Sequence, residues 1–108
     1  MNTMQVAETM EAISSPIRLE VLLCLLKAGE TGLVAGEISD LVKVSPTNLS
    51  FHLRALTRSA LVVVTQEGRF LRYRADARRV SALIDELVDE LGKPAAKMQR
   101  AAERQGKR

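Results

Sequence analysis

The feature that most constrains the fold is a capped helix that starts only a few residues after another helix ends. Ser45 is a favourable N-cap residue, and Pro46 suits the first helical position because no amide donor is needed there. The apolar side chains of this helix recur at i, i+4 and i+7, at Leu49, Leu53 and Leu56. The preceding residues 33–43, LVAGEISDLVK, have a helical pattern of their own. Two short helices joined by so tight a turn predict a helix-turn-helix.

The face of the second helix opposite its leucines is polar and basic. Short hydrogen-bonding side chains near a helix start can reach base edges in the DNA major groove, and arginines further along can bind phosphates or guanine. An ordinary solvated amphipathic helix is the alternative interpretation of this face. For Phe51, contact with a thymine methyl group and packing on the following hairpin both remain open. The predicted DNA-contact residues of this helix are Ser45, Thr47, Asn48, Ser50, Phe51, His52, Arg54 and Arg58.

A β-hairpin is predicted directly after this helix. The segments LVVVTQ and FLRYRA are rich in β-branched or aromatic residues and flank Glu67-Gly68-Arg69, in which the glycine can supply a positive φ. A hairpin in this position is a wing. We expect Arg69 and Arg72 to contact DNA from the wing, through the minor groove or the backbone.

The distribution of charge supports a polyanionic partner. The chain of 108 residues has a net charge of +3, but residues 1–42 carry two basic and six acidic side chains, a net −4. Residues 43–79 carry eight basic and two acidic side chains, a net +6. The basic block coincides with the second helix of the pair and the wing, which favours DNA as the partner.

The remaining segments predict three more helices. Residues 4–14 form a short amphipathic helix, and a helix from Pro16 to about Gly29 is apolar on nearly every side and therefore buried. The last helix has an apolar stripe that exceeds what a small domain needs for its own core, so we expect it to pair with the first helix of a second chain. The predicted dimer-interface residues are Met4, Ala7, Met10, Ile13, Val80, Leu83, Ile84, Leu87, Val88 and Leu91.

These elements define the predicted fold class. It is mainly α with a two-stranded hairpin, in the order α-α-α-α-β-β-α: a winged helix-turn-helix that forms a homodimer. Residues 1–92 make up the DNA-binding and dimerisation domain, and residues 93–108 form a basic C-terminal tail.

Several other classes of protein are disfavoured by composition. One histidine and one cysteine provide no nucleophile–base pair with a third orienting group, and no glycine loop could cradle a phosphate, so we predict no enzyme. No signal sequence and no apolar run of about eighteen residues is present, which predicts a cytoplasmic protein without membrane contact. Cys24 lies among leucines and is predicted to be a core residue rather than a redox switch. The acidic residues of the last helix are predicted to be solvated rather than to bind a cation.

The sequence resembles the ArsR/SmtB family of bacterial winged helix-turn-helix repressors over residues 5–91. The resemblance rests on SSPIRLEVLLCLL, GEISDLVKVSPTNLSFHLRAL and EGRFLRYRA, and on the S-x-H-L pattern of Ser50, His52 and Leu53. It implies a homodimer that binds a nearly palindromic DNA operator and represses transcription until an inducer releases it. It also implies that His52 donates a hydrogen bond to the backbone or to a phosphate.

The metal sites of that family are not matched. Its Cys-Val-Cys sequence corresponds to Val34-Ala35-Gly36, and its zinc ligands of the last helix correspond to Asp76-Ala77-Arg78, Asp89 and Gly92. The cysteines of arsenic-responsive members fall in DELVDELG, which contains none. We therefore predict no metal site and no cofactor, and the sequence does not identify an inducer.

The predicted function is a sequence-specific DNA-binding transcriptional regulator, a dimeric repressor of its own operon. The alternative is a winged-helix module that binds a protein partner without specific DNA binding.

Overall fold

The computed structural model describes residues 1–89 of the chain, so Leu91, Gly92 and the predicted tail at 93–108 lie outside the described residues. In chain order, the elements are α1 (Thr3–Ala12), α2 (Pro16–Ala28), a 3-10 turn (Gly29–Thr31), β1 (Leu33–Val34), α3 (Ala35–Val42), α4 (Pro46–Arg58), β2 (Val62–Glu67) and β3 (Phe70–Ala75). Residues 77–89 form a further helix, α5. The predicted winged helix-turn-helix is confirmed.

The helices begin at side chains that supply the missing hydrogen bonds of their first turns. The Asn2 side chain accepts from the Gln5 amide at 2.8 Å, and the Gln5 side chain accepts from the Asn2 amide at 2.9 Å. Ser15 caps α2 ahead of Pro16, and α2 ends at Ala28 with Gly29 as its C-cap, φ 62°, close to the predicted end. Asp76 Oδ1 accepts from the amides of residues 78 and 79 at the start of α5.

One face of α2 is more exposed than predicted. Val21, Leu22 and Leu25 are buried, but Leu19 and Leu23 are exposed on the opposite side. The prediction that this helix is buried all round is therefore wrong, because the single sheet and the other helices cover only part of its circumference.

The sheet has one more strand than predicted. The strand order is β1-β3-β2, with both pairs antiparallel, and Leu33 and Val34 of β1 pair with Tyr73 and Arg72. The prediction of helix from Leu33 is therefore wrong by two residues, and α3 begins at Ala35. A strand this short is stabilised only by its partner in the sheet, which local periodicity does not reveal.

The core lies where α2, α3, α4 and the inner face of the sheet meet. It consists almost entirely of aliphatic side chains, with Tyr73 as its one aromatic member among the described residues. The fully buried members Leu25, Ile38, Leu56 and Leu61 come from α2, α3, α4 and the segment before β2. This shared core fixes the position of α4 relative to the wing.

The turn between α3 and α4 is three residues long. Lys43 adopts the left-handed conformation, with φ 56° and ψ 48°, and the Ser39 hydroxyl donates to the Val44 carbonyl across the turn.

In the described part of the chain, no helix is long and apolar enough to cross a membrane.

Candidate DNA-binding interface

The orientation of α4 is set by its cap and its leucines. Ser45 Oγ accepts from the Asn48 amide at 3.2 Å, and Pro46 occupies the first turn. Leu49, Leu53 and Leu56 are all buried in the core, as their spacing predicts. Because one face of the helix is fixed in this way, its opposite face is held toward solvent.

The predicted DNA-contact residues of α4 share the outer side of the helix. His52 is half-buried at the edge of the leucine face, and the other seven are exposed: Ser45, Thr47, Asn48, Ser50, Phe51, Arg54 and Arg58. This set combines hydroxyl and amide groups near the start of the helix with guanidinium groups one to three turns further on. The arrangement is able to contact base edges and phosphates from one helix.

Phe51 lies in solvent rather than against the wing. Its side chain is 62% exposed, and the guanidinium carbon of Arg54 lies 5.6 Å from its ring centroid. The residues of α4 that do face the wing, across a groove floored by Leu71 and Tyr73, are Ser50, Leu53, Arg54 and Thr57. This exposure argues against packing on the wing, and contact of Phe51 with a thymine methyl group stays a prediction.

The wing is a hairpin with a two-residue loop. Glu67 pairs with Phe70, so Gly68 and Arg69 form the loop, and Gly68 has φ 61°. A positive φ at the first loop position alone is the pattern of a type II′ turn, whose twist matches that of the strands. Arg69 is exposed, and no hydrogen bond or ion pair of its side chain is present within residues 1–89. Among the described residues, Arg69 is therefore an unpaired cation at the tip of the wing.

Arg72 does not join the exposed cations of α4 and the wing tip. Its Nε donates to Glu67 Oε1 at 2.8 Å, and its Nη1 donates to the Thr31 carbonyl at 3.2 Å. Arg74 Nε donates to the Glu30 carbonyl at 2.7 Å, and its Nη2 lies 3.5 Å from Glu67 Oε2. We call this set of contacts, made by the side chains of Glu67, Arg72 and Arg74, the wing brace. It links the wing to the 3-10 turn.

The wing brace follows from strand register. Buried Tyr73 points to the core, so Arg72 and Arg74 lie on the other face of β3, where Thr65 and Val63 are their partners in β2. The alternation of β3 predicts this separation once Tyr73 is known to be buried.

The hydrogen bond from Arg72 is the main cause that lowers the pKa of Glu67, so the ion pair is present above the ordinary pKa of the carboxyl. It is lost only as the pH falls through the lowered value.

The predicted dimer residues divide into two groups. Ile13 and Val80 are partly buried against the subunit's own core, and Leu83 is only 5% exposed, so these three already have intrachain neighbours. The remaining described members are exposed: Met4, Ala7, Met10, Ile84, Leu87 and Val88. An apolar surface on α1 and α5 is therefore left uncovered by residues 1–89 of the single chain.

No cluster of potential metal ligands is present in residues 1–89: nowhere do three or more histidine, cysteine or acidic side chains come together there. Cys24 is partly buried and packs against the core. Among the acidic residues of α5, Asp85 and Asp89 are exposed, and Glu86 lies 3.8 Å from the terminal amine of Met1.

Comparisons with known proteins agree with this arrangement. A family model described as a helix-turn-helix domain matches residues 13–65. No curated protein matches the chain. An ArsR-like transcriptional regulator from Rhodococcus sp. RHA1 is 28% identical, with a TM-score of 0.69, and the match covers 94% of this chain and 91% of that one.

Two structures of one Mycobacterium bovis protein are also similar. The crystal structure of the "possible transcriptional regulatory protein" (fragment 1–100) is 32% identical, with a TM-score of 0.61 over 79% of this chain and 91% of that one. The solution structure of Mb0332, a homodimeric winged helix-turn-helix DNA-binding domain from a possible ArsR-family regulator, is 29% identical. Its TM-score is 0.64 over 80% of each chain.

The Rhodococcus relative is a transcriptional regulator, and the Mycobacterium bovis protein is a possible one. One assignment follows from the helix-turn-helix, from the wing, and from the similarity to a relative that is 32% identical over most of both chains. The chain belongs to the ArsR/SmtB family of winged helix-turn-helix transcriptional regulators.

Proposed function

We propose that this protein is a dimeric, sequence-specific DNA-binding repressor that acts on a nearly palindromic operator and controls its own operon. The observation that carries the proposal is the outer face of α4, where Thr47, Asn48 and Ser50 are exposed while the leucines behind them are buried. Because the helix is already fixed by the core, it can present an amide and two hydroxyls to base edges with little further loss of conformational entropy on binding.

The cations around this face supply the sequence-independent part of the affinity. Arg54 and Arg58 lie on α4, and Arg69 lies at the tip of the wing, all exposed. Each arginine that neutralises a phosphate releases a counterion, so binding should weaken steeply as salt rises. Arg72 is held in the wing brace, and we assign it the role of fixing the wing rather than of contacting DNA.

The exposed apolar surface of α1 and α5 supports the dimer. Five large side chains on it, Met4, Met10, Ile84, Leu87 and Val88, are between 39% and 71% exposed. At about 1.5–3 kcal/mol for each fully buried side chain, scaled by the fraction of each that is now exposed, covering these residues in both copies would contribute roughly 8–16 kcal/mol. This is comparable to the roughly 4–15 kcal/mol that association costs, so a dimer gains enough to form if its contacts fit. Homodimerisation of the Mb0332 domain is consistent with this inference.

A small dimer on promoter DNA would repress by occupying the site where polymerase binds. Two-fold symmetry would set the two α4 helices in successive major grooves, about 34–36 Å apart. The operator would then read as two inverted half-sites. An inducer, if one acts, would have to favour an arrangement in which this spacing is lost.

Selection of random duplex DNA on the purified protein tests the proposal. We expect an enriched inverted repeat, and we expect Asn48→Ala to weaken binding to it by about 1–3 kcal/mol while changing affinity for a random duplex of the same length very little. In vitro transcription from a promoter carrying the repeat should fall when protein is added. No enriched sequence and no retention on DNA at low salt would refute the proposal and favour a module that binds protein.

A further inference from the structure

The two phenylalanines of this chain are both on its surface. The whole sequence has only three aromatic residues, and the core is built from aliphatic side chains with Tyr73. Phe51 and Phe70 are 62% and 63% exposed. Phenylalanine is among the residue types most often found inside proteins, so exposure of both in a chain this poor in aromatics calls for an external contact. One lies on α4 and the other on the wing.

Phe70 stands at the outermost part of the wing. It forms the last cross-strand pair, with Glu67, before the loop of Gly68 and Arg69. The third strand, β1, pairs only with Tyr73 and Arg72, so the pairs at positions 66–71 and 67–70 project beyond the three-stranded part of the sheet. The wing tip, which we define as residues 68–70, therefore carries a glycine, an exposed arginine and an exposed aromatic ring.

The local charge of the wing tip is positive despite the glutamate beside it. Both carboxylate oxygens of Glu67 face cations within its own subunit, Arg72 at 2.8 Å and Arg74 at 3.5 Å. The charge of Arg69 is therefore not offset by Glu67. A cation next to an apolar ring suits the minor groove of DNA, where arginine is attracted by the negative potential and an apolar wedge can enter between base steps.

We propose that Phe70 is a specificity-determining residue that enters the minor groove beside Arg69 and partly unstacks one base step on each side of the operator. The proposal rests on the DNA-binding function proposed above. Phe70 makes specificity depend on how easily that step deforms, so flexible pyrimidine–purine steps such as TA are favoured at this position and stiff A-tract steps are disfavoured. The protein then selects bases that it does not hydrogen-bond.

The test uses the DNA site enriched by selection on the wild-type protein. The fluorescent base 2-aminopurine is placed in turn at each base step on either side of the enriched site, since its fluorescence rises when it unstacks. The step at which the fluorescence rises is then changed to TA or to an A-tract step, and the affinity of the protein for each operator is measured. We expect wild-type protein to raise the fluorescence at one flanking step and to bind the TA operator at least fivefold more tightly than the A-tract operator. Phe70→Ala should abolish both effects, and Phe70→Leu should retain part of each.

Val63→Ala is the matched control. Val63 is an exposed apolar side chain on the same face of the hairpin, but it pairs with Arg74 at the far end from the wing tip. The Val63→Ala variant should leave both the fluorescence change and the preference for TA unchanged. If Phe70→Ala binds the selected operator with unchanged affinity, fluorescence and step preference, the role of Phe70 is refuted while the DNA-binding function stands. If no site is enriched at all, both are refuted.

Discussion

Substitution of Gly32 should destabilise the protein far more than substitution of its neighbour Gly29, because only Gly32 lies against the wing. Gly32 has φ 64° and ψ −171°, a conformation that is essentially restricted to glycine. A Cβ atom built there would lie 2.4 Å from the Tyr73 carbonyl oxygen and 2.7 Å from Arg74 Cγ. Gly29 has a similar φ of 62°, but a Cβ there would meet no atom within 4 Å.

The two variants separate backbone strain from steric clash. Strain in this conformation costs about 1–3 kcal/mol, and this is the whole effect expected for Gly29→Ala. Gly32→Ala adds overpacking against a backbone carbonyl, which costs about 1–3 kcal/mol more. We therefore expect a loss of roughly 2–6 kcal/mol for Gly32→Ala, and a gap of about 1–3 kcal/mol between the two variants.

Urea unfolding followed by circular dichroism measures this gap from the two transition midpoints. If Gly32→Ala is too unstable for a baseline, the shift in Tm provides the comparison, since each kcal/mol corresponds to about 4–8 °C for a domain of this size. Equal losses in the two variants would refute the close approach of Gly32 to β3. A larger loss for Gly29→Ala would refute the whole account of this turn.

Three further predictions concern assembly, the wing and metals. Leu87→Glu should give a monomer by sedimentation and at least a tenfold loss of operator affinity; an intact dimer would contradict the assigned interface. Glu67→Gln removes a negative charge near DNA yet should weaken operator binding because the wing brace is lost. Glu30→Gln makes the same charge change but keeps the backbone carbonyl through which Glu30 accepts from Arg74, so it should not weaken binding; tighter binding by Glu67→Gln would contradict the brace. Zinc, cadmium, lead or trivalent arsenic should not release chelator-treated protein from DNA, because Cys24 and His52 cannot complete a ligand set; release that Cys24→Ser abolishes would refute this.

Local rules were sufficient for the parts of the fold that are specified by neighbouring residues. The cap at Ser45, the proline at position 46 and the leucines of α4 are all local signals, and the structure places them as predicted. The pairing of Leu33 with Tyr73 is not local, because it joins residues forty positions apart. Hydrophobic periodicity alone therefore predicts helix at residues 33 and 34, which pairing with β3 holds in a strand.

The candidate site divides in the same way. The outward direction of Thr47 and Arg54 follows from the helical period alone, and both residues are exposed. The role of Arg72 depends on the register of β2 with β3, which sets it on the same face as Glu67, and on the 3-10 turn, whose Thr31 carbonyl it reaches. Neither can be read from the charge of the segment. The basic block correctly marked a cationic region, but not which arginines are free.

A footprint of the protein on its selected operator tests the central claim most directly. Hydroxyl-radical cleavage and guanine-methylation interference should reveal two symmetric sets of contacts on one face of the duplex, separated by about one helical turn, as two α4 helices fixed by a dimer require. The flanking minor grooves, where the wings lie, should also be protected. A single half-site contact, or protection that does not depend on sequence, would contradict a dimeric reader of DNA.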